Sequence, residues 1–223
     1  YTPNGLGIFL LKKQLETMDS IYLTDCNSMD RRIQWYDFLN SLNTIKPLVQ
    51  NTGTCSDTVI AIIPKDVNHL LQRAKEQGMK VLLDFHYSDT WTDPSKQEIP
   101  AAWLPQLNNT EALGNLLYNY THTTLTELVN ANLQPDIVQV GNEINGMILQ
   151  QGDLQWPINW TRNSSLINKG IKAVRDVASQ TNNTIEVMLH IAQPENGLWW
   201  FEQATANGVT DYDWIGLSYY PYL

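Results

Sequence analysis

From residue 65 onward, apolar positions follow helical and extended spacings in turn. Val67, Leu70, Leu71 and Ala74 lie on one helical stripe, which Gly78 closes. Met79 to Phe85 (MKVLLDF) is a mostly apolar run of strand length that leads straight into His86-Tyr-Ser-Asp89. A polar, aromatic-rich loop carries Trp91, Asp93, Pro94, Lys96, Gln97, Pro100 and Trp103. Leu113, Leu116, Leu117, Tyr120 and Leu128 then predict a long helix from Thr110 to Ala131. Ile137, Val138 and Val140 make a short β-branched strand ending at Gly141, with Asn142 and Glu143 next. A loop rich in Gly, Trp, Pro and Asn runs to about residue 162. It leads to a helix over 164–179, with Ile167, Ile171, Val174 and Ala178 on one face. Ile185 to Leu189 reads as a strand ending at His190, and Leu198 to Ala206 as a short helix stopped by Asn207-Gly208. Asp213 to Leu217 is a last strand, followed by Ser218-Tyr219-Tyr220-Pro221.

Before residue 58 the pattern is weaker. Ile8 to Leu11 fits a strand. Arg32 to Leu42 fits a helix, with Ile33, Tyr36, Phe38 and Leu39 as core positions, and Pro47, Asn51, Gly53 and Ser56 break it.

Strand, long polar loop, helix, strand is an order that builds a parallel sheet with crossover helices. The loops after strands are long and rich in His, Trp, Asp and Asn, and those before strands are short. This asymmetry predicts an α/β fold, a (β/α)8 TIM barrel with its chemistry on the rim at the strands' carboxyl ends. Four clear strands and two N-terminal candidates make about six of the eight βα units, so the barrel is expected to be incomplete. A doubly wound open sheet is the other arrangement considered, but no glycine-rich phosphate loop follows any strand. No linker or low-complexity tract divides residues 1–223, which read as one partial domain.

Composition narrows the partners. A 43% hydrophobic and 17% charged content is globular, and a net charge of −9 argues against nucleic acid or an anionic membrane surface. Eight Trp and ten Tyr suit both a core and a sugar-stacking surface. Cys26 and Cys55 are either a pair or two unrelated thiols. Asn108, Asn119, Asn159, Asn163 and Asn182 head Asn-x-Ser/Thr triplets. No apolar run reaches membrane-spanning length, and no secretory leader opens the sequence.

On a barrel rim, His86, Glu143, His190 and Tyr219 converge from four strands. Glycoside cleavage needs a protonated carboxyl to deliver a proton to the leaving oxygen, and a second carboxylate. Glu143 fits the acid, because a carboxyl among aromatic rings loses solvation and its pKa rises. Asn142 would bond a sugar hydroxyl beside the reacting carbon. His86 and His190 also have a plain reading as satisfied strand-end histidines. A metal held by His86, His190 and Glu143 has no close-spaced motif behind it, so neither metal nor cofactor is expected. At least two of Trp91, Trp103, Trp199 and Trp200 are expected to pack rather than bind. Asp84 is expected to bond across the barrel interior, and Asp89 and Asp93 to reach sugar.

From about Asp66 to Tyr222 the sequence resembles the endo-β-1,4-galactanases of glycoside hydrolase family 53. The matching segments are VLLDFHYSDTWTDPSKQ (81–97), PAAW (100–103), LYNYT (117–121), VQVGNEI (138–144), INKGIKAVRD (167–176), LHIA (189–192), WWF (199–201) and IGLSYYPY (215–222). The resemblance implies retaining cleavage of the β-1,4-galactan side chains of pectin by a secreted or extracellular enzyme, with a periplasmic or cell-surface place as the alternative, and a monomer when complete. It implies Glu143 as acid/base and Asn142 as the Asn before it. It also implies His86, His190 and Tyr219 as rim residues, and Trp91, Trp200, Asp89 and Asp93 as sugar contacts. Two departures stand out. The family's nucleophile, a Glu ending the seventh strand, has no counterpart here, and an Arg near the end of the second strand is missing. Residues 43–57 resemble that second-strand region only loosely, with Lys46 near the Arg-containing stretch, and residues 1–57 as a whole match poorly. Lysine lacks the guanidinium fork. The alternatives are an inactive galactan-binding remnant and a same-clan glycanase acting on mannan or glucan.

Overall fold

The computed structural model describes residues 6–11, 63–152 and 155–218. In chain order the elements are β1 (Leu6–Leu11), α1 (Ile63–Glu76), β2 (Lys80–Phe85), α2 (Thr110–Asn130), β3 (Ile137–Val140), α3 (Trp160–Thr181), β4 (Glu186–Ala192), α4 (Gly197–Ala206) and β5 (Trp214–Ser218). The five strands form one sheet in sequence order. Strands β2 to β5 are mutually parallel, each pair joined through a helix. They form a run of consecutive staves of a (β/α)8 barrel.

The Ile8–Leu11 strand expected from sequence lies within β1. It pairs antiparallel with β2, from Leu6 opposite Phe85 to Leu11 opposite Lys80, whereas a barrel stave there would run parallel. An antiparallel neighbour satisfies the backbone groups of an edge as fully as a parallel one does, so the apolar pattern alone could not fix direction. The helix expected over 32–42, Lys46, both cysteines and Tyr219 lie outside the described residues.

Strand alternation divides the sheet into two faces. Val81, Leu83, Phe85, Val138, Val140, Val187, Leu189 and Ile191 point to one side and are buried against α1 to α4. Leu71, Leu113, Leu117, Leu125, Leu166, Ile167, Ile171 and Val174 meet them from the helices. Each such side chain contributes roughly 2 kcal/mol on burial. The other face carries Asp84, His86, Gln139, His190 and Ser218, a polar row on what is the inside of a barrel. The strands therefore alternate, although their composition reads as apolar throughout.

Two aspartates set the register from below. Asp136 Oδ2 accepts the Val81 N–H at 2.8 Å, and Asp213 Oδ2 accepts the Val187 N–H at 2.7 Å. Each aspartate immediately precedes a strand and ties it to its neighbour. Asp213 is further held by Arg175 of α3 at 2.9 Å.

Helix α3 begins four residues earlier than the apolar stripe predicts, because the Asn159 side chain caps it by accepting the Arg162 N–H at 3.1 Å. Asn163 is fully buried, accepting the Ile148 N–H and donating to the Gly146 carbonyl. It pins the loop after β3 from behind, which removes it as a glycan acceptor. At Gly170 the helix comes so close to β3 that an added Cβ would lie 2.6 Å from Val140 Cγ1.

Candidate active site

The chain leaves β3 through a left-handed turn. Gly141 has φ +86° and Glu143 φ +49°; Tyr87 (+52°) and Gln193 (+59°) take the same conformation just past β2 and β4. A non-glycine residue held there costs on the order of 1–3 kcal/mol and persists where the surroundings over-determine it. For Glu143 the constraints are visible. The Ile144 N–H bonds the His190 carbonyl at 2.9 Å. Asn145 bonds both the N–H and the carbonyl of Ala192, at 2.8 and 2.7 Å. Its side chain thus continues the ladder for β4 after β3 has ended.

A third brace comes from the loop after β2. Gln97 Nε2 donates to the carbonyls of Asp93, Asn142 and Glu143 at 3.0, 2.9 and 3.2 Å. Thr92 lends its carbonyl to Asn142 Nδ2 at 2.8 Å, and its own N–H reaches His86 Nδ1 at 3.1 Å. His86 Nδ1 is therefore an acceptor, and Nε2 carries the proton facing Asp84 Oδ2 at 2.9 Å. Asp84 Oδ1 accepts from Gln139 Nε2 at 2.7 Å across β2 and β3, the interior bond expected of it. Gln139 Nε2 also lies 3.2 Å from Asn142 Oδ1, so one amide joins the floor of the site to the turn that carries Glu143.

Glu143 is 8% exposed, and its Oε1 accepts from the Ser218 hydroxyl at 2.6 Å. Ser218 Oγ in turn lies 3.0 Å from His190 Nε2, and His190 Nδ1 lies 2.9 Å from Asn142 Oδ1. Burial pushes the Glu143 carboxyl above the ordinary glutamate value. The Ser218 bond opposes this, Asp93 adds to it, His86 opposes it, and Asp84 adds to it. Burial also drives His190 down, to about 4, with His86 adding repulsion, so its imidazole is neutral near pH 7. The Asp84 carboxyl is raised by burial against the pull of His86 and Gln139. Two buried carboxyls and a neutral imidazole thus face one another on the polar face of the sheet.

The other residues singled out from sequence divide into two groups. Trp91 is 42% exposed and packs on His86, ring centroids 4.4 Å apart. Asp93 acts on Glu143 electrostatically while its Oδ1 holds Ser95. Asp89 faces away from this network, its Oδ2 accepting the Ala101 N–H at 2.7 Å. Trp200 is buried (1% exposed) between Trp160 and Phe201, so it packs behind the rim and does not face solvent. Its neighbour Trp199 is 42% exposed and pairs with Trp156, 64% exposed, at 5.7 Å. In WWF, helical geometry separates adjacent residues by about 100°, so the sequence located the pair but not its outward member. His190 lies within β4 rather than at its end, because Asn145 prolongs that strand.

Gln97, Gln139, Ser218 and Trp156 are the residues that sequence reasoning left unassigned. Among the described residues, no group of three or more His, Cys, Asp and Glu side chains is placed to hold a metal ion, and no helix is long and apolar enough to cross a membrane.

The glycosyl hydrolase family 53 model matches residues 56–223. An arabinogalactan endo-β-1,4-galactanase of Cellvibrio japonicus is 58% identical over 159 residues, covering 70% of this chain and 42% of that protein. An endo-β-1,4-galactanase of Bacillus subtilis is 40% identical over 153 residues, covering 68% of this chain and 33% of its own length. The chain thus spans less than half of either relative. Among solved structures, one from a study of two fungal β-1,4-galactanases superposes with a TM-score of 0.63 at 32% identity, over 71% of this chain and 48% of that one. The family 53 catalytic domain of Ignisphaera aggregans gives 0.58 at 36% identity, over 71% and 42%. By the extent of these matches, the chain belongs to glycosyl hydrolase family 53.

Proposed function

We propose that the chain is the proton-donor part of a retaining endo-β-1,4-galactanase, in which Glu143 is the general acid and then the general base. The observation that supports this most directly is the Glu143 carboxyl itself. It is nearly buried at the carboxyl end of β3 with its pKa raised, so it holds a proton at pH values where an exposed glutamate has lost it. Trp91 and His86 wall the site on one side. Asn142 spends one amide hydrogen on Thr92 and keeps the second for a sugar hydroxyl next to the reacting carbon. The substrate is β-1,4-galactan, as the relatives' names suggest, and the setting is extracellular.

The nucleophile is the remaining requirement. Asp84 is fully buried and engaged by His86 and Gln139, and Asp93 is turned to Ser95. Neither is free to attack a sugar, which fits a nucleophilic Glu on the family's seventh strand. Expressed as its 223 residues, the chain is expected to release few or no reducing ends from galactan. Removing one of two cooperating groups forfeits most of the rate. Robust turnover by this chain would show that a carboxylate within these 223 residues serves as nucleophile. Extended by the seventh and eighth strands, it should cleave galactan in preference to mannan and glucan in the same reducing-end assay. Equal or faster release from mannan or glucan would replace galactan as the substrate.

In the exposed pair, Trp156 lies on the loop after β3 and Trp199 in the first turn of α4, which follows β4. Trp156 also borders a cavity of about 420 Å³ whose lining includes Asn108, Gln150, Gln151, Gln155 and Asn159, with Arg162 beside them. Neutral amides beside an indole suit the hydroxyls and apolar faces of a sugar chain. Trp156→Ala is expected to weaken binding of galactan oligosaccharides about tenfold, the loss of ~1.4 kcal/mol of stacking area. Fluorescence titration measures it, and unchanged affinity would remove the pair from the binding surface.

A further inference from the structure

The contacts around His190 contain a conflict that one protonation state does not resolve. Nδ1 receives the Glu143 backbone N–H at 3.3 Å, and Gln139 Nε2 lies 3.3 Å from it, which requires a bare nitrogen. The same Nδ1 lies 2.9 Å from Asn142 Oδ1, which requires an N–H. The Asn142 amide cannot be turned over to remove the conflict, because its Nδ2 donates to the Thr92 carbonyl at 2.8 Å. On the other side of the ring, Ser218 has one hydrogen to share between His190 Nε2 at 3.0 Å and Glu143 Oε1 at 2.6 Å.

Each set of contacts is satisfied by one direction of the chain of bonds. With Glu143 ionised, the Ser218 hydroxyl donates to Oε1, His190 Nε2–H donates to Ser218, and Nδ1 accepts. With Glu143 protonated on Oε1, that proton is donated to Ser218 Oγ, the hydroxyl turns to Nε2, and Nδ1–H donates to Asn142 Oδ1. We propose that Ser218 is a positioning residue linking Glu143 to His190, through a hydrogen-bond relay whose direction, and with it the His190 tautomer, reverses as Glu143 gains or loses its proton.

The relay has a use in the proposed reaction, and that use rests on Glu143 being the proton donor. When the Oε1 proton leaves its bond to Ser218 for the leaving oxygen, the Ser218 hydroxyl turns from Nε2 to the new carboxylate. A hydrogen bond to the charge therefore forms only as the charge develops. The Ser218 hydrogen stays on Ser218 throughout. His190 then returns to its Nε2–H form by losing one proton from Nδ1 and gaining one on Nε2 through solvent. The groups acting on Glu143 besides Ser218 are Asp84 of β2, and His86 and Asp93 just beyond it. None of these lies between Glu143 and His190. Burial keeps His190 neutral down to about pH 4 and raises the Glu143 carboxyl, so the two shifts move apart.

The test is nitrogen NMR of the 223-residue chain labelled with ¹⁵N-histidine, which needs no substrate and no turnover. Failure to cleave galactan would leave this readout untouched, so the relay and the proposed activity fail separately. The His190 resonances should change from the Nε2–H to the Nδ1–H pattern as pH falls through the Glu143 titration, followed by the Glu143 ¹³C carboxyl signal. Ser218→Ala should abolish that change and raise the Glu143 pKa by about one unit, the loss of one bond to a charged acceptor. Ser218→Thr should restore both. Glu143→Gln, whose amide does not titrate, should leave the His190 pattern constant over the same pH range and carries the test if Ser218→Ala does not fold. A His190 that stays Nε2–H across the wild-type titration, as when the carboxyl takes its proton on Oε2, overturns the proposal. A His190 pattern that still reverses with pH in Glu143→Gln does so as well.

Discussion

In a chain extended to carry the family's second carboxylate, Glu143→Gln is expected to lower kcat on galactan about 10³-fold, the usual contribution of a positioned general acid. The amide is nearly isosteric and keeps the turn, so the loss measures the proton and not the shape. Leaving-group chemistry separates the two. A galactan chain leaves as an alkoxide unless it is protonated, whereas an activated aryl galactoside leaves as a stable phenolate. Bond cleavage to the aryl leaving group should be slowed far less. Equal losses on both substrates would mean that the substitution has disturbed the fold, and no loss on galactan would remove Glu143 as the acid.

The same substitution has a stability consequence whose sign follows from the raised pKa. A carboxyl that holds its proton more tightly folded than unfolded disfavours the folded state once it is ionised. That penalty is absent below the unfolded glutamate value, grows as pH rises through the window up to the folded value, and is complete above it. Glu143→Gln should therefore melt higher than the parent at pH 7 and match it at pH 4. A lower melt at pH 7 would show that the carboxylate stabilises the fold.

Much of this arrangement was legible because strand ends were. The βα alternation, Glu143 after β3, His86 after β2 and the interior role of Asp84 all follow from where apolar runs stop. What sequence could not give was side-chain direction. Trp199 and Trp200 are adjacent and chemically identical, and only the phase of α4 decides that one faces solvent while the other fills the core. Ser218 reads in the sequence only as the residue before an aromatic pair, because a serine has no signal until its partners' positions are known. Gln97 and Gln139 are silent for the same reason: an amide that bonds carbonyls and carboxylates from separate segments is recognisable only after those segments meet. The direction of β1 is also hidden, since a six-residue apolar run pairs equally well either way.

The largest stability effect is expected at Gly141. Its φ of +86° lies where an L side chain is strained, and a Cβ there would come within 2.5 Å of Ile144 Cγ2. Ile144 is fully buried, and its N–H is bonded to the His190 carbonyl, so it has no space into which to withdraw. Gly208 supplies the control: its φ is +81°, and a Cβ there would meet nothing within 4 Å. Gly208→Ala should cost about 1 kcal/mol, the backbone strain alone. Gly141→Ala adds an overpacked contact and should cost about 3 kcal/mol in urea unfolding. The difference between the two variants, rather than either value, measures how rigidly the turn under Glu143 is held. Were they equal, Ile144 would be yielding to the methyl group, and the position of the carboxyl would have to be set from the Gln97 and Ser218 side instead.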